Sequence, residues 1–344
     1  MMKFNFFVII LVIFVVACGQ APNENEETHI NNNEQETDTV GTIRDFFPFE
    51  ENVTFVITSE DMPEINQEIF TTFINGNFIQ QRVTAENIDI LNILEISDNT
   101  LKQVFSFNEY TVFSDWTNNF TPNMDLIILQ EPLSLGNFWD NNMGGISTIT
   151  DVNVPVSTPA GNFTNTIQVT TIFNNGDHSV SYFAHGHGMV SDSYTTTFQE
   201  TTVSVTQHLS EVRQGGIDIF VPVFFPDENL IELEVEMVQT TINTNQNFVY
   251  LFNDLLPQSI PNLYNTSINN ITLNVDEDYI IVDFSQNFLE IEMGASFESM
   301  LLESLANTFG FFYGVTNFRI TLDGNIYESG HFLFEDNQFI RVEQ

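Results

Sequence analysis

The sequence predicts an α+β protein, in which a β-rich domain built as a curled antiparallel sheet or half-barrel is followed by a smaller α+β domain. Two observations predict this class. Residues 43–213 hold short apolar runs separated by frequent Gly, Pro, Asn and Asp turns, as antiparallel sheets do. Beyond Gln214-Gly215-Gly216 some runs have helical spacing, which indicates a second domain over 217–344.

Turn residues mark the strands of the first domain. Asn75-Gly76 lies between two apolar runs and is a strong hairpin signal. Ser97-Asp98-Asn99 and Asn174-Asn-Gly-Asp177 separate further runs. The predicted strands are Val53–Ser59, Glu68–Ile74, Phe78–Thr84, Ile88–Ile96, Thr100–Phe107, Leu126–Leu129, Ile146–Val156, Thr164–Phe173 and His178–Ala184, with one or two more in Met189–Val205.

A strand with two different faces is predicted near the start of the second domain. Over Leu230–Val238, apolar residues alternate with glutamates, which predicts a half-buried strand with a carboxylate outer face. The residues expected to be buried are Ile231, Leu233, Val235 and Met237. The other predicted strands of this domain are Ile217–Phe225, Ile271–Val275, Tyr279–Phe284 and Phe318–Leu322, the last followed by an Asp323-Gly324 turn signal.

Two helices are predicted in the second domain. Apolar residues recur at helical spacing from Phe248 to Leu256, and Pro257 is expected to end this run. Ser296 is expected to cap the second helix, and Gly310 to end it. The predicted apolar side of the second helix is Leu301, Leu305 and Phe309.

The composition limits the partners that the protein can have. The chain carries 47 acidic and 7 basic residues, a formal net charge of -40. Such a surface repels phosphates and anionic lipid headgroups, so nucleic-acid binding and electrostatic membrane binding are excluded. Phenylalanine supplies 35 of the 344 residues. Because each Phe buries a large area, Phe-rich cores are expected.

The N-terminus has the layout of a secretory signal. Lys3 precedes an apolar run over Phe6–Ala17, which is shorter than the ~20 apolar residues that span a bilayer. Val15-Val16-Ala17-Cys18 resembles the lipobox of bacterial lipoproteins. The resemblance implies that residues 1–18 are a lipoprotein signal peptide with its lipobox, and that Cys18 receives a diacylglyceryl group. The alternative is an ordinary cleaved signal with an incidental cysteine.

Residues 19–42 are predicted to be a disordered acidic tether. They are polar, rich in Asn and Glu, and too poor in apolar residues to form a core. A flexible segment of this length has a root-mean-square reach of roughly 27 Å. The folded domains are therefore expected just outside the outer face of the cell membrane.

The domain over 217–344 resembles the sporulation and spore germination domain known as GerMN. The patterns that carry the resemblance are Ile219–Phe225 with Asp227-Glu-Asn-Leu230, Leu255-Leu256, Val282-Asp283-Phe284-Ser285, and Ile320-Thr-Leu-Asp-Gly324. Leu256-Pro257-Gln258 stands where the family has Gly-Pro. The β-rich domain resembles the region that precedes this module in some exported lipoproteins of Gram-positive bacteria, on Glu131-Pro-Leu-Ser-Leu-Gly136 and Thr158-Pro-Ala-Gly-Asn-Phe163.

Metal-capable residues are densest at Asp177, His178, His185, His187 and Asp192. On an unbroken strand the first of these histidines would point away from the other two, and glycines beside the pair indicate a bend. Loop histidines are therefore predicted in preference to a transition-metal site.

Other chemistry-bearing patterns are weak. Asp276-Glu277-Asp278 lacks the spacing of the known calcium loop, so a solvated hairpin turn is predicted. The sequence contains no nucleophile elbow, phosphate loop or zinc-protease motif. No catalytic residue, metal or cofactor is predicted, and the protein is expected not to be an enzyme.

The sequence predicts a membrane-anchored extracytoplasmic lipoprotein, which acts through protein–protein contacts in envelope assembly or in sporulation and germination. An envelope protein is its expected partner. The alternative is a ligand-binding lipoprotein whose β-rich domain holds an apolar or cell-wall-derived ligand. A deep apolar cavity would favour that alternative, and a packed core would favour the first. A hydrolase with two facing carboxylates is a third class, but acidic residues are too numerous for the sequence to identify such a pair.

Overall fold

The computed structural model describes residues 39–343, except residues 48, 87, 98, 109–112 and 199–200. The chain divides into two compact units. The first runs to residue 110 and resumes over 115–215, and the second combines 111–114 with 216–344. Cys18 and the predicted tether as far as residue 38 lie outside the described residues.

The first unit contains a short helix and twelve described strands. The helix, α1, covers Ile43–Phe46. The strands are β1 Val53–Thr58, β2 Gln67–Asn75, β3 Phe78–Ala85, β4 Ile88–Ser97, β5 Thr100–Asn108, β6 Leu126–Gln130, β7 Phe138–Asp140, β8 Gly145–Thr158, β9 Gly161–Phe173, β10 His178–Ala184, β11 Gly188–Phe198 and β12 Thr201–Gln214.

These described strands form one antiparallel sheet that is nearly closed. Each strand pairs with its neighbour in the chain except at β6 and β7, and β1 pairs with β12. The sheet therefore curls until β6 and β7 meet. There the Ile127 N–H donates to the Asn141 carbonyl oxygen at 3.1 Å, and the Trp139 indole N–H donates to the Ile127 carbonyl oxygen at 3.2 Å. The predicted class, a β-rich curled antiparallel sheet followed by an α+β domain, is confirmed.

Alternation of side chains places an apolar cluster inside the curled sheet. Leu101, Ile149 and Ile167 have no exposed area and belong to this cluster. Helix α1 adds the buried side chains of Ile43 and Phe46. Since polar backbone groups at a buried helix end need partners, the Ile43 N–H donates to the Glu131 carboxylate at 2.8 Å.

The hairpin of β2 and β3 forms where the sequence predicts it, but its turn lies one residue later. Asn75 pairs with Phe78, so the turn residues are Gly76 and Asn77. Gly76 has φ +59, a backbone conformation that glycine adopts without a steric penalty. The region Met189–Val205 contributes to two strands, β11 and β12, and β12 continues to Gln214.

The second unit has two sheets and two α-helices in its described residues. Its elements are β13 Ile217–Pro226, β14 Leu233–Ile242, α2 Phe248–Ser259, β15 Ile268–Asn274, β16 Tyr279–Phe284, α3 Ala295–Tyr313, β17 Asn317–Leu322, β18 Asn325–Ile326 and β19 Ile340–Arg341. Strands β13 and β14 pair with each other, and the second sheet has the order β15-β16-β17-β18 with β19 also on β17. Helix α3 connects the parallel strands β16 and β17, as a parallel pair requires.

The core of the second unit is rich in phenylalanine, as the composition predicts. Phe309 has no exposed area and lies 4.6 Å from Phe252 and 5.9 Å from Phe318, measured between ring centroids. One polar pair is buried beside these rings, where the Tyr327 hydroxyl donates to the Glu298 carboxylate at 2.7 Å. Both partners are buried, and a buried polar group without a hydrogen bond destabilises the folded state. The two side chains therefore need this bond.

Both helix ends predicted in this unit were wrong. Pro257 lies inside α2, which continues to Ser259 because the Ile260 N–H still donates to the Leu256 carbonyl oxygen at 2.8 Å. Helix α3 ends at Gly314, which has φ +64, and not at Gly310. A Cβ on Gly310 would lie 2.2 Å from the Val342 Cγ2, so close packing explains that glycine. Gly294, and not Ser296, is the N-cap of α3.

Candidate functional site

The hairpin of β13 and β14 has two distinct faces. The strands pair antiparallel, with Val221 opposite Val238 and Pro222 opposite Met237. Opposed residues share a face, and successive residues alternate between faces. One face buries Val221 and Val223 completely in the core of the second unit.

The other face of this hairpin is largely apolar and partly exposed. It carries the exposed Phe220, Val235 and Met237 and the half-buried Pro222, and these four residues are called the apolar face below. Phe220 is 60% exposed, Met237 56% and Val235 53%. Surface patches of apolar side chains mark sites of interaction more often than scattered single residues do.

The prediction that Val235 and Met237 are buried was therefore wrong, and so was the one for Ile231, which is also exposed. Among the described strands β14 pairs with β13 alone. The apolar alternation is real, but α3 covers that side of the hairpin at Phe224, whose ring centroid lies 5.1 Å from that of Phe311, and leaves Val235 and Met237 exposed. An edge strand of this kind also presents unpaired backbone groups, to which an extended segment of another chain can add.

The connection between the two strands is held by one carboxylate. Asp227 accepts hydrogen bonds from the backbone N–H groups of Ile231 at 2.6 Å, Glu232 at 3.1 Å and Asn229 at 3.1 Å. These backbone hydrogen bonds, led by that from Ile231, hold the pKa of Asp227 below its ordinary value. The hairpin therefore presents the apolar face in one defined conformation.

One exposed carboxylate lies on the apolar face, and others lie on the opposite face of the hairpin. Asp218 alternates onto the face of Phe220 and Pro222, whereas Glu234 and Glu236 pair with Phe225 and Val223 and so share the other face. The whole chain has a formal net charge of -40. The electrostatic field around the hairpin is therefore negative, and it favours a partner whose contact surface is basic at the rim.

The metal-capable residues of the first unit do not form one ligand set. Asp177 accepts from the Tyr194 hydroxyl at 2.5 Å, and the Nδ1 of His187 contacts the carbonyl oxygen of His185 at 3.0 Å. Asp192 lies inside the sheet, while His178 is exposed on its strand. In the described part of the chain, no three His, Cys, Asp or Glu side chains are grouped to hold a metal ion.

The acidic turn between β15 and β16 is engaged within the protein. The Asp278 carboxylate accepts from the Thr316 N–H at 2.8 Å and from the Thr316 hydroxyl. These bonds tie the β15–β16 turn to the residue that precedes β17. The arrangement gives this carboxylate a structural role.

Comparison with known proteins identifies one domain. Residues 222–328 match the family model Germane, described as sporulation and spore germination. The match covers less than half of the chain, and it includes β14, both α-helices of the second unit and half of β13. The GerMN-like domain predicted from the sequence is this Germane domain. No match was found among the curated proteins or the solved structures.

The apolar face lies almost wholly in the Germane domain, since only Phe220 precedes the matched residues. Within residues 39–343 as described, none of the helices has both the length and the apolarity needed to cross a membrane. The sequence carried a signal for the apolar face, the alternation in β14, but assigned it to the core.

Proposed function

We propose that the protein is a lipid-anchored, non-enzymatic component of the cell envelope, and that its Germane domain acts in sporulation or germination by binding another envelope protein. The sporulation and germination role follows from the family match. The single observation that supports binding to a protein is the exposed apolar face of the β13–β14 hairpin.

The chemistry of the hairpin describes the partner. The partner has an apolar centre that covers Phe220, Val235 and Met237, and Lys or Arg side chains that meet Asp218 and the negative field around the hairpin. Such an arrangement follows the general anatomy of interfaces, with an apolar core and a polar rim. The defined conformation of the hairpin lowers the entropic cost of binding.

Charge on the apolar face is expected to abolish function without unfolding the protein. The double variant Phe220→Glu/Met237→Glu places two carboxylates where the partner's apolar centre docks. Because both residues are exposed, each change is expected to alter the free energy of unfolding by only about 0.5 kcal/mol. In a host strain that lacks the gene, the double variant is expected to give at least about tenfold fewer germinated spores than the wild type, a loss that one or two misplaced interface residues can cause.

Tyr264→Glu is the matched control, since Tyr264 is 81% exposed in the same unit but outside the hairpin. This control is expected to restore germination fully. A photo-crosslinking residue at Val235, but not at Tyr264, is expected to capture a protein neighbour in intact cells. Full complementation by the double variant would show that the apolar face is not the contact surface.

The anchor is tested at Cys18. Cys18→Ala is expected to abolish both lipidation and processing, because the thiol is the group that accepts the diacylglyceryl chains in the proposed lipobox. The protein should then leave the membrane fraction or keep its leader, as shown by mass spectrometry and fractionation. Ala17→Gly is the control, since it keeps a small residue before the cysteine. A Cys18→Ala protein that still carried a diacyl group would contradict the anchor.

A further inference from the structure

The nearly closed sheet of the first unit holds a cavity of about 210 Å³ that is partly open to solvent. A closed sheet widens as strands are added, and side chains fill the interior at about eight strands. With twelve described strands, the inward side chains of this sheet leave part of the interior unfilled, beside the apolar cluster. An engineered cavity of about 150 Å³ is large enough to hold benzene. The cavity of the first unit therefore has room for a small organic molecule.

The wall of the cavity combines apolar and polar side chains along its strands. On β10 the inward residue Phe183 is preceded two positions earlier by Ser181, and on β3 Gln81 lies between the apolar lining residues Ile79 and Val83. Inward positions on one strand are about 6.6 Å apart, so both kinds of side chain occur within the length of a small ligand. The cavity is thus suited to an amphipathic molecule.

Asp192 supplies a carboxylate to the polar part of this wall. The residue is only 2% exposed and lines the cavity. Its Oδ1 accepts from the Ser181 hydroxyl at 2.5 Å, and no other described residue donates to the carboxylate. Burial raises the pKa of Asp192 to about 6, and the bond from Ser181 opposes that rise.

Three further polar side chains of the wall have no partner among the described residues. Gln67, Gln81 and Ser179 are each more than nine-tenths buried and line the cavity, yet their side chains make no hydrogen bond to the rest of the described protein. Buried polar groups are almost always satisfied, by protein or by an ordered molecule. The cavity therefore offers hydrogen-bonding groups to whatever molecule occupies it.

The charged side chains of the wall indicate which sign of charge the ligand has. Among the described lining residues, the titratable side chains other than Asp192 are Glu50 and His187, and neither Lys nor Arg is present. The residues paired with Asp192 on the flanking strands, Ser181 and Gln207, do not titrate. A buried carboxylate without a cation partner favours a cationic ligand, and the apolar part of the wall is unsuited to a bare metal ion.

We propose that this cavity binds a small primary amine, with its ammonium group on Asp192 and its apolar body against Ile79 and Phe183. The ammonium donates to the free Asp192 oxygen, and this bond between two charged groups is stronger than a bond from a neutral hydroxyl. This site goes beyond the function proposed for the Germane domain and does not depend on it.

Binding of paired probes to the purified protein tests the site. Isothermal titration calorimetry at pH 7.5 compares benzylamine with benzyl alcohol, and cyclohexylamine with cyclohexanol, because each pair differs mainly in charge. At least one amine is expected to bind, and about tenfold or more tightly than its alcohol, the difference typical of a hydrogen bond to a charged group. Asp192→Asn is expected to remove this preference.

Asp151→Asn is the control variant, since Asp151 is exposed on β8 and does not line the cavity. It should retain the preference for the amines. Failure of both amines to bind would overturn the proposal. Equal binding of the alcohols would also overturn it, as would unchanged amine binding in Asp192→Asn. The alcohol comparison uses the wild type alone, so the test holds even if a variant misfolds.

Discussion

Phe309→Ala is expected to lower the free energy of unfolding of the second unit by about 3–5 kcal/mol. The ring has no exposed area and packs against Phe252 and Phe318. Its removal leaves a cavity in the centre of the core, and the surrounding rings cannot collapse into it fully. This loss is a large fraction of the stability of an ordinary domain.

Urea unfolding separates the two units in this test. Both tryptophans of the chain, Trp116 and Trp139, belong to the first unit, so their fluorescence reports that unit. The longer helices α2 and α3 belong to the second unit, so the helical circular dichroism signal reports it. Phe309→Ala is expected to shift the dichroism transition and leave the fluorescence transition in place.

The matched control is Phe311→Ala, two residues away in the same helix. Phe311 is 46% exposed and meets Phe224 at 5.1 Å between ring centroids. We expect a loss of about 1 kcal/mol, the size of one aromatic pair. Equal losses for the two variants would show that Phe309 does not occupy the centre of the core.

Asp192→Asn is expected to stabilise the first unit by about 3 kcal/mol at pH 8. Burial raises the pKa of Asp192 from 3.8 in the unfolded chain to about 6 in the folded one. Each unit of pKa difference corresponds to about 1.4 kcal/mol. The amide has the shape of the carboxyl group without its charge, and it keeps an acceptor for the Ser181 hydroxyl.

The direction of the pH dependence follows from proton binding. Between pH 3.8 and about 6 the folded state holds the proton of Asp192 more tightly than the unfolded state does, so wild-type stability falls as pH rises through this window. The extra stability of Asp192→Asn over the wild type is therefore full at pH 8 and absent near pH 3.5. Urea unfolding followed by tryptophan fluorescence at both pH values measures it. Equal extra stability of the variant at both pH values would contradict the assignment of Asp192 as a buried, charged group.

Local signals in the sequence were sufficient to predict most strands and one turn. The Asp323-Gly324 signal gives the predicted tight turn, with φ +46 and +78 at its two residues. Strand β10 has the predicted bounds, His178–Ala184. These features depend on neighbours in the chain, through turn geometry and the alternation of side chains. The apolar side of α3, with Leu301 and Leu305 fully buried, was predicted for the same reason.

The helix ends and the candidate sites could not be predicted in this way. Gly310 is explained by Val342, a residue distant in sequence that packs against α3. Asp192 was grouped with the histidines as a metal candidate, but the curling of the sheet directs it into the cavity. Whether a side chain meets a cavity, a core or solvent depends on strands that are remote in sequence.

The sequence by itself determined the order of most strands and of the two longer helices, the acidic surface, the Phe-rich core and the Germane domain. Only the tertiary structure decided how far the first sheet closes, which polar groups face its interior, and that Val235 and Met237 are exposed. Alternation along a strand shows that its two faces differ, but it does not show which face packs against another element. That choice depends on contacts between distant segments, and these form only when the chain folds.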